Sequence, residues 1–434
     1  MTTHSLNVFD ASTVVGAVAY ESLEDGFSFQ YDESWVKAEG TYSISPHITM
    51  FGQPAASGTI RRFLENLLPE GRALDVVATT FQMTRNNLYG LLRQIGQETA
   101  GALSFLAATP QEQPTTRREI SLAELKQRID ERADLPFAVW DGNVRMSIAG
   151  YQDKLSVFMD GDRFYLVEGN LASTHILKPE PDNNKLPMLV ANEHYCMSLG
   201  KRIGLSVAPV SILRVPDPVL VVERFDRAQE AERVRRLHVV DGCQALNLPV
   251  AHKYERNFGS GRDVRNIREG VSFQRLFSVA EYTLDKAVTR MALLRWALFQ
   301  YLIGNCDAHG KNVSFFCRFG GLSLAPYYDL VSVVQYEGLD HELAMAYGDE
   351  FQLENIRLYD WAGFAERVQI PRTLLSREML RIGRTASQAA AEQAANDAYV
   401  GDEKALVSKI ADFVQTQASR LIEMARPMLG VKLD

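Results

Sequence analysis

The sequence predicts an α+β protein of two lobes, the first rich in β-strands and the second all-α. The chain has 434 residues, which is too long for one compact core, so two to four packed units are expected. Between 143 and 245, short runs alternate apolar and polar residues as strands do. Beyond about 270, apolar residues recur at the spacing of helices instead. Two lobes of this kind commonly hold a ligand between them.

An additional α+β subdomain is predicted over residues 1–108. Its first half contains the alternating runs TVVGAVAY, FSFQY and TYSIS, which are typical of a small antiparallel sheet. Helical spacing follows in SGTIRRFLENLLPEGRALDVVATTF and in RNNLYGLLRQIG. Residues 109–142 are predicted to be a linker and a helix, because TPQEQPTTRRE has two prolines, many polar residues and no periodicity.

The β-rich lobe is assigned to residues 143–245 and the helical lobe to residues 246–434. The strands predicted in the first lobe are RMSIAG, KLSVFMD, RFYLVEG, THILKPE, VAPVSILRV and PVLVVERFD, and LVANEHYCMSLGKRIG is predicted to be a helix between them. In the second lobe the longest predicted helix covers 284–304, and the segment from EQAANDAYV to RLIEMA is also predicted to be helical.

Composition and charge place the chain among folded proteins of a reducing compartment. The net charge of −8 argues against broad, nonspecific binding of nucleic acid. The four cysteines show no metal-binding or disulfide spacing, so free buried thiols are expected. No export signal is visible, and Arg295 and Gln300 interrupt the longest apolar stretch. We therefore expect a cytoplasmic protein.

The segment IGNCDAHGKN places an unusual set of polar residues directly after the long apolar helix. Asp307 and Asn312 are five positions apart, the spacing found in the catalytic loop of protein kinases. In that loop the Asp accepts the proton of a substrate hydroxyl and the Asn holds a metal ion. Burying a carboxylate costs several kcal/mol unless it is paired, so its position beside a core helix needs a reason. The spacing alone also occurs by chance.

Two further residues fit a kinase site. Asp329 follows a predicted hairpin that starts from the loop, where kinases keep a metal-binding carboxylate; it is otherwise a turn residue. Lys178 ends an apolar strand, where it could reach the phosphates of a nucleotide or lie in solvent. Glu193, on the following helix, could orient Lys178 or be an ordinary surface residue. Together they predict a protein-kinase-like fold.

The phosphate-binding loop is less distinct. The glycine-rich kinase motif is missing, and MSIAGYQDKLS stands in its place with one glycine, Gly150. Backbone N–H groups in such a turn can cradle phosphate oxygens, and Lys154 could add positive charge. Without further information the same segment is an ordinary hairpin turn.

Several segments, taken in order, resemble the HipA family of serine/threonine-kinase toxins of bacterial toxin–antitoxin modules. They are SIAGYQDK, STHILKP, ANEHYC, VERFDR, CQALNLPVAHKYE, IGNCDAHGKN and PYYDLVS, with FLENLLPEG and LLRQIGQETAGALSF upstream. The resemblance covers nearly the whole chain. It implies a kinase that uses ATP and Mg²⁺ and carries the extra N-terminal subdomain.

The resemblance also implies roles for individual residues. Asp307 would be the catalytic base, Asn312 and Asp329 the Mg²⁺ ligands, and Ser147 the serine that the protein phosphorylates on itself as a self-inactivating switch. The residues implied to contact the nucleotide are Ala149, Gly150, Tyr151, Gln152, Asp153, Lys154, Lys178, Glu223, Arg224, Phe225, His309, Gly310, Lys311, Asn312, Tyr328 and Asp329. Those at 149–154 would form the phosphate loop, and those at 223–225 a hinge whose backbone meets adenine.

The resemblance finally implies partners and leaves alternatives open. It suggests a helix-turn-helix antitoxin dimer of the HipB type, operator DNA bound through the complex, and a protein substrate such as the glutamyl aminoacyl-tRNA synthetase. A different possibility is a catalytically silent protein that serves only as a DNA-binding co-repressor with the antitoxin. A third is a metal hydrolase site built from His175, Asp307 and His309, with Cys306 nearby, although no metal-ligand spacing supports it.

Overall fold

The computed structural model describes residues 3–108, 115–141, 143–144, 152–169, 171–183, 185–230 and 233–433. The chain divides into two compact units. Unit 1 contains residues 1–179, 213–250 and 315–325, and unit 2 contains residues 180–212, 251–314 and 326–434. The domain bounds given above stay predictions.

Several strands, among them Gly26–Tyr31 and Arg163–Glu168, alternate in burial along their length, as strands with one covered face do. In chain order the strands are β1 (Thr3–Asp10), β2 (Thr13–Glu21), β3 (Gly26–Tyr31), β4 (Leu103–Leu106), β5 (Thr116–Ile120), β6 (Val139–Trp140), β7 (Asn143–Val144), β8 (Leu155–Asp160), β9 (Arg163–Glu168), β10 (His175–Pro179), β11 (Val210–Val215), β12 (Asp217–Glu223), β13 (Arg227–Glu230), β14 (Arg233–Arg236), β15 (Val239–Asp241), β16 (Ser314–Arg318), β17 (Gly321–Leu324), β18 (Glu342–Tyr347) and β19 (Glu350–Gln352).

The three longest helices lie in the second half of the chain. In chain order the helices are α1 (Glu33–Lys37), α2 (Ser57–Glu65), α3 (Gly71–Thr80), α4 (Leu88–Ile95), α5 (Leu122–Asp130), α6 (Leu189–Arg202), α7 (Gly242–Ala245), α8 (Phe273–Ser278), α9 (Lys286–Ile303), α10 (Leu358–Arg367), α11 (Arg372–Ala394) and α12 (Glu403–Ala425). Among the described residues, no helix is long and apolar enough to cross a membrane.

Unit 1 begins with a four-stranded sheet in the order β3-β2-β1-β4. This confirms the small antiparallel sheet, although the predicted strand at 41–45 is wrong. There Ser45 forms only an isolated bridge with Ile48, because Pro46 has no N–H to continue a ladder. The helical segment that follows is split into α2 and α3 around Pro69 for the same reason.

The second sheet of unit 1 has the order β11-β12-β10-β8-β9-β5. Its buried face packs with α5 into one apolar core that includes Leu155, Val157, Leu177 and Val221. The edge strand β5 pairs with β9 antiparallel and lies where the sequence predicts part of a linker. Pairing with a strand that is distant in sequence outweighs the polar composition of this segment. The local sequence does not indicate such a pairing.

Unit 2 is mainly helical, with the short hairpin β18–β19 added to its helices. Large aromatic side chains fill its core, among them Trp296, Tyr301, Tyr347 and Trp361, which are fully buried. The predicted helix at 284–304 is confirmed as α9, which begins at an N-cap, Asp285, and ends before Gly304. The predicted tail helix is interrupted between α11 and α12, where Gly401 has a positive φ of 53°.

The four cysteines Cys196, Cys243, Cys306 and Cys317 are free and buried, as the sequence predicts. Burial raises the pKa of Cys306 to about 12, with the nearby carboxylates of Asp340 and Asp307 adding to the effect. The thiol is therefore protonated at neutral pH, and it is a poor metal ligand or nucleophile.

Candidate active site

The polar loop of unit 2 begins where α9 ends. Gly304 adopts a left-handed φ of 63° and its N–H bonds back to the helix carbonyls of Gln300 and Tyr301. A Cβ atom at Gly304 would lie 2.6 Å from Cγ2 of Val334 and 2.8 Å from Cε1 of Phe413. Only glycine fits this exit, which turns the chain from the helix directly into the loop.

Asp307 is exposed, and hydrogen bonds hold it at both ends. Its backbone N–H donates to Oδ1 of Asn305 at 3.1 Å, and Nδ2 of Asn305 donates to Oε1 of Gln300 at 2.9 Å. Its side chain accepts a hydrogen bond from the hydroxyl of Tyr254, with 2.6 Å between that oxygen and Oδ1. The backbone of Asp307 is thus fixed while its carboxylate faces solvent. A general base needs this arrangement, because it must meet a substrate hydroxyl.

Asn312 and Asp329 are seventeen positions apart in the sequence, and the fold brings their side chains into contact. Nδ2 of Asn312 donates to Oδ2 of Asp329 at 2.8 Å, and Oδ1 of Asn312 accepts from the backbone N–H of His309 at 3.0 Å. Asp329 has a left-handed φ of 57°, which is uncommon for a residue other than glycine and clusters at functional sites. We call Tyr254, Asp307, His309, Asn312 and Asp329 the catalytic-loop cluster.

The predicted site residues Gly310, Lys311 and Tyr328 make contacts that hold the loop in place. Lys311 is buried, and its backbone carbonyl accepts the hydroxyl of Tyr328 at 2.6 Å. The Tyr328 hydroxyl also lies 2.8 Å from Oγ of Ser314. Gly310 packs so closely that a Cβ atom there would lie 2.5 Å from Cγ2 of Val271. The loop is therefore part of the packed interior and its conformation is fixed.

The oxygen donors of this cluster fit a hard divalent cation such as Mg²⁺. Asp329 offers a carboxylate and Asn312 an amide oxygen, the kinds of oxygen donor that Mg²⁺ prefers. Among the described residues, no group of three or more His, Cys, Asp and Glu side chains could hold a metal by itself. Kinase metals are held by few protein ligands together with substrate phosphates, so the small donor set agrees with that chemistry.

In unit 1 the predicted phosphate-contacting residues lie on neighbouring strands. Lys178 is half-buried on β10 and pairs with Leu220 of β12. Lys154 is buried immediately before β8, whose first residue, Leu155, pairs with Leu177. Nε2 of Gln152 donates to the carbonyl of Pro179, the residue after Lys178, at 3.2 Å. Asp153 is half-buried beside them.

The predicted hinge residues end strand β12. Glu223 is exposed and opposite His175 in the ladder, and the N–H of Arg224 donates to the carbonyl of Thr174 at 2.9 Å. Phe225 is half-buried and packs edge-on against Phe316 with ring centroids 6.0 Å apart.

The side chain of Arg224 belongs to a largely buried cluster of charges in unit 1. We call this set, Glu98, Arg224, Asp226, Arg227 and Arg236, the hinge ion cluster. The Asp226 carboxylate lies 2.8 Å from a guanidinium nitrogen of Arg224 and 2.8 Å from one of Arg227. Although burial favours its protonated form, the two guanidinium groups hold the pKa of Asp226 well below its usual value. The side chain of Arg224 therefore belongs to the ion cluster, and the role of residues 223–225 as a hinge stays a prediction.

Four predicted residues, Ser147, Ala149, Gly150 and Tyr151, lie outside the described part of the chain. Glu193 is buried on α6 in unit 2, whereas Lys178 belongs to unit 1, and their pairing stays a prediction. His175 of the hydrolase alternative also belongs to unit 1, whereas Asp307 and His309 belong to unit 2.

Three functional candidates were not predicted from the sequence: Tyr254, Gln300 and Asn305. Gln300 had a signal, because it interrupts an otherwise apolar helix at a position that proves fully packed. Tyr254 is fifty-three residues from Asp307, so its contact depends on the fold and local spacing does not indicate it.

Comparison with known proteins identifies relatives of this chain. The family model of the HipA-like C-terminal domain matches residues 146–394, and that of the HipA N-terminal domain matches residues 6–106. A serine/threonine-protein kinase toxin, HipA of Shewanella oneidensis, is 42% identical over 90% of this chain and 89% of its own length. A putative kinase, Y4mE of Sinorhizobium fredii, is 31% identical over 96% of this chain and 98% of its own.

A solved structure supports the same assignment. The chain matches one from the Shewanella oneidensis MR-1 toxin–antitoxin complex of HipA, HipB and operator DNA, with a TM-score of 0.90 and 39% identity. The match covers 99% of this chain and 100% of that one, and it confirms the predicted fold class. Fold, loop and relatives together define a serine/threonine-protein kinase, an enzyme that uses ATP. The chain belongs to the HipA family.

Proposed function

We propose that this protein is the kinase toxin of a toxin–antitoxin pair and transfers the γ-phosphate of ATP to a hydroxyl group of a protein substrate. The observation that carries the proposal is the catalytic-loop cluster. One exposed carboxylate, Asp307, stands in the same loop as Asn312, and the Asn312 side chain meets that of Asp329 at 2.8 Å.

In this proposal Asp307 accepts the proton of the substrate hydroxyl. Asn312 and Asp329 would hold Mg²⁺, which neutralises phosphate charge when bound, and Lys178 would contact the phosphates. Most of the rate would come from positioning and electrostatics, because phosphoryl transfer needs little covalent chemistry from the protein.

The partners and regulation are proposed from the relatives. The matched Shewanella structure contains HipB and operator DNA, and we propose a HipB-like helix-turn-helix dimer and operator DNA as partners of this chain. We propose an aminoacyl-tRNA synthetase, such as the glutamyl enzyme, as the cytoplasmic substrate whose phosphorylation halts growth and favours dormancy. We propose Ser147 as the site of self-inactivating autophosphorylation, since a phosphate can reorganise a short loop by its charge and hydrogen bonds.

The direct test is incubation of the purified chain with radiolabelled ATP and Mg²⁺, with and without cell extract. Label is expected on the chain itself and on at least one extract protein, and Asp307→Gln and Asp329→Ala should each abolish both signals while the protein stays folded. Transfer that continues at the wild-type rate in Asp307→Gln would reject the catalytic role. No transfer by the wild-type chain, together with operator binding alongside its antitoxin, would favour the silent co-repressor.

The modification site is tested separately by mass spectrometry. Ser147→Ala is expected to remove the main autophosphorylation signal while transfer to extract protein continues. Phosphate found at another residue, with none on Ser147 of the wild-type chain, would reject Ser147 as the site.

A further inference from the structure

The contact between Tyr254 and Asp307 joins a residue outside the loop to the proposed base. The Tyr254 hydroxyl donates to Oδ1 of Asp307 at 2.6 Å, a typical distance for a hydrogen bond between a hydroxyl and a carboxylate. The partner of this carboxylate among the described residues is thus a neutral hydroxyl and not a cation. The protein holds one carboxylate oxygen, and no hydrogen bond reaches the other, Oδ2, from the part of the chain that the structure describes.

The backbone on both sides of Tyr254 is fixed by hydrogen bonds within unit 2. The N–H of Gly310 donates to the carbonyl of Lys253 at 2.9 Å, and the N–H of Glu255 donates to the carbonyl of Ala344 at 2.9 Å. Val271 donates its N–H to the carbonyl of His252 at 2.8 Å. The loop of the proposed base and the segment of Tyr254 are therefore tied to each other directly.

Close packing leaves the tyrosine little freedom. A Cβ atom at Gly270 would lie 1.7 Å from the carbonyl oxygen of Tyr254, so the two backbones approach as only glycine allows. The Tyr254 ring packs edge-on against His309, with centroids 5.2 Å apart and planes at 87°. The Lys253 ammonium lies 5.3 Å from the ring centroid of Tyr254. Backbone and ring contacts together fix the direction in which the hydroxyl points.

We propose that Tyr254 is the positioning residue of Asp307: its hydroxyl fixes the rotation of the carboxylate so that Oδ2 meets the substrate hydroxyl. This inference rests on the proposed role of Asp307 as the base. An exposed aspartate without such a restraint rotates among several rotamers, and a misplacement of about 1 Å can cost about a hundredfold in rate. The loss of one hydroxyl is then expected to act on the chemical step and not on ATP binding.

The test is Tyr254→Phe in the full-length chain, assayed with ATP, Mg²⁺ and the labelled extract substrate. We expect kcat to fall about 10- to 100-fold, with the KM for ATP changed less than about twofold, because the tyrosine acts through Asp307. The matched control is Tyr399→Phe, which removes a buried hydroxyl of the same unit that lies 2.9 Å from Nδ1 of His194. This control should keep the wild-type kcat.

A double-mutant cycle separates positioning from a general structural effect. In an Asp307→Ala background, Tyr254→Phe should cause no further loss of the residual rate, because the carboxylate that it positions is gone. An equal fold loss in both backgrounds, or a wild-type kcat in Tyr254→Phe while Asp307→Ala is inactive, would overturn the inference alone. Full activity of Asp307→Ala would overturn the proposed function itself.

Discussion

The hinge ion cluster and the catalytic-loop cluster are both sets of polar side chains among apolar cores, and they differ in how their carboxylates are compensated. Asp226 is buried and lies 2.8 Å from each of two guanidinium groups. Asp307 is exposed, and its side-chain partner among the described residues is a tyrosine hydroxyl. Removing one member of a buried ion cluster is costly to the fold, whereas an exposed carboxylate held by a hydroxyl can meet a substrate hydroxyl and accept its proton.

The largest effect on stability is expected at the hinge ion cluster. Asp226→Ala removes the carboxylate that lies 2.8 Å from each of two buried guanidinium groups, those of Arg224 and Arg227, which should lower the free energy of unfolding by about 3–5 kcal/mol. Asp160→Ala is the control, because its pair with Arg117 is largely exposed and should be worth less than about 1 kcal/mol. Urea unfolding measures both, and a loss below 1 kcal/mol in Asp226→Ala would show that the cluster does not stabilise unit 1.

The next largest effect is a pH dependence of the stability of unit 1, which arises at His238. Burial lowers the pKa of this histidine from 6.5 to about 4. The hydrogen bond to the Ile44 carbonyl acts to raise the pKa, and the positive charge of Arg236 acts to lower it further. The unfolded chain binds this proton more tightly than the folded chain does. His238 therefore takes nothing from the free energy of unfolding above pH 6.5, and roughly 3 kcal/mol of that free energy is lost as the pH falls to 4.

Unfolding in urea at a series of pH values measures this dependence. His238→Gln should flatten it between pH 4 and 6.5, whereas exposed His4→Gln should leave it unchanged. A slope in His238→Gln that matches the wild-type slope would assign the pH dependence to other groups.

A smaller loss is expected at the support of the catalytic loop. Gly310→Ala places a methyl group 2.5 Å from a fully buried valine, Val271, and should cost about 1–3 kcal/mol with some loss of activity. Val271→Ala in the same chain should restore part of both. Gly363→Ala in α10, where the nearest atom would be 3.6 Å away, is the control and should stabilise by up to about 1 kcal/mol. Thermal melting measures the loss of stability, and a parallel kinase assay measures the loss of activity.

The smallest change in stability is expected where the change in activity is greatest. Asp307→Asn removes a charge from an exposed position and keeps an acceptor for Tyr254, so the free energy of unfolding should move by less than about 0.5 kcal/mol. Transfer from ATP should nevertheless fall about 100- to 10,000-fold. A destabilisation as large as that of Asp226→Ala would make the catalytic-loop cluster structural, and the contrast between the clusters would fail.

The local sequence predicted much of the architecture, because helices and most strands here bury one face and repeat with the matching period. α9 is predicted by its apolar spacing and by Gly304 at its end. The errors fall where a proline or a distant partner overrides the local pattern, as at the break near Pro69 and in the edge strand β5.

Spacing within one loop identified Asp307 and Asn312 as candidates, because catalytic chemistry requires particular groups at a fixed separation along a loop. Asp329 was identified by its place after a predicted hairpin, and Lys178 by its place at the end of a predicted strand. The tertiary structure alone decided which distant side chains hold them. The hydroxyl of Tyr254 on Asp307, the meeting of Asn312 with Asp329, and the use of the Arg224 side chain in an ion cluster all join residues through packing. Packing distances are set by the whole fold, and local sequence carries no direct record of them.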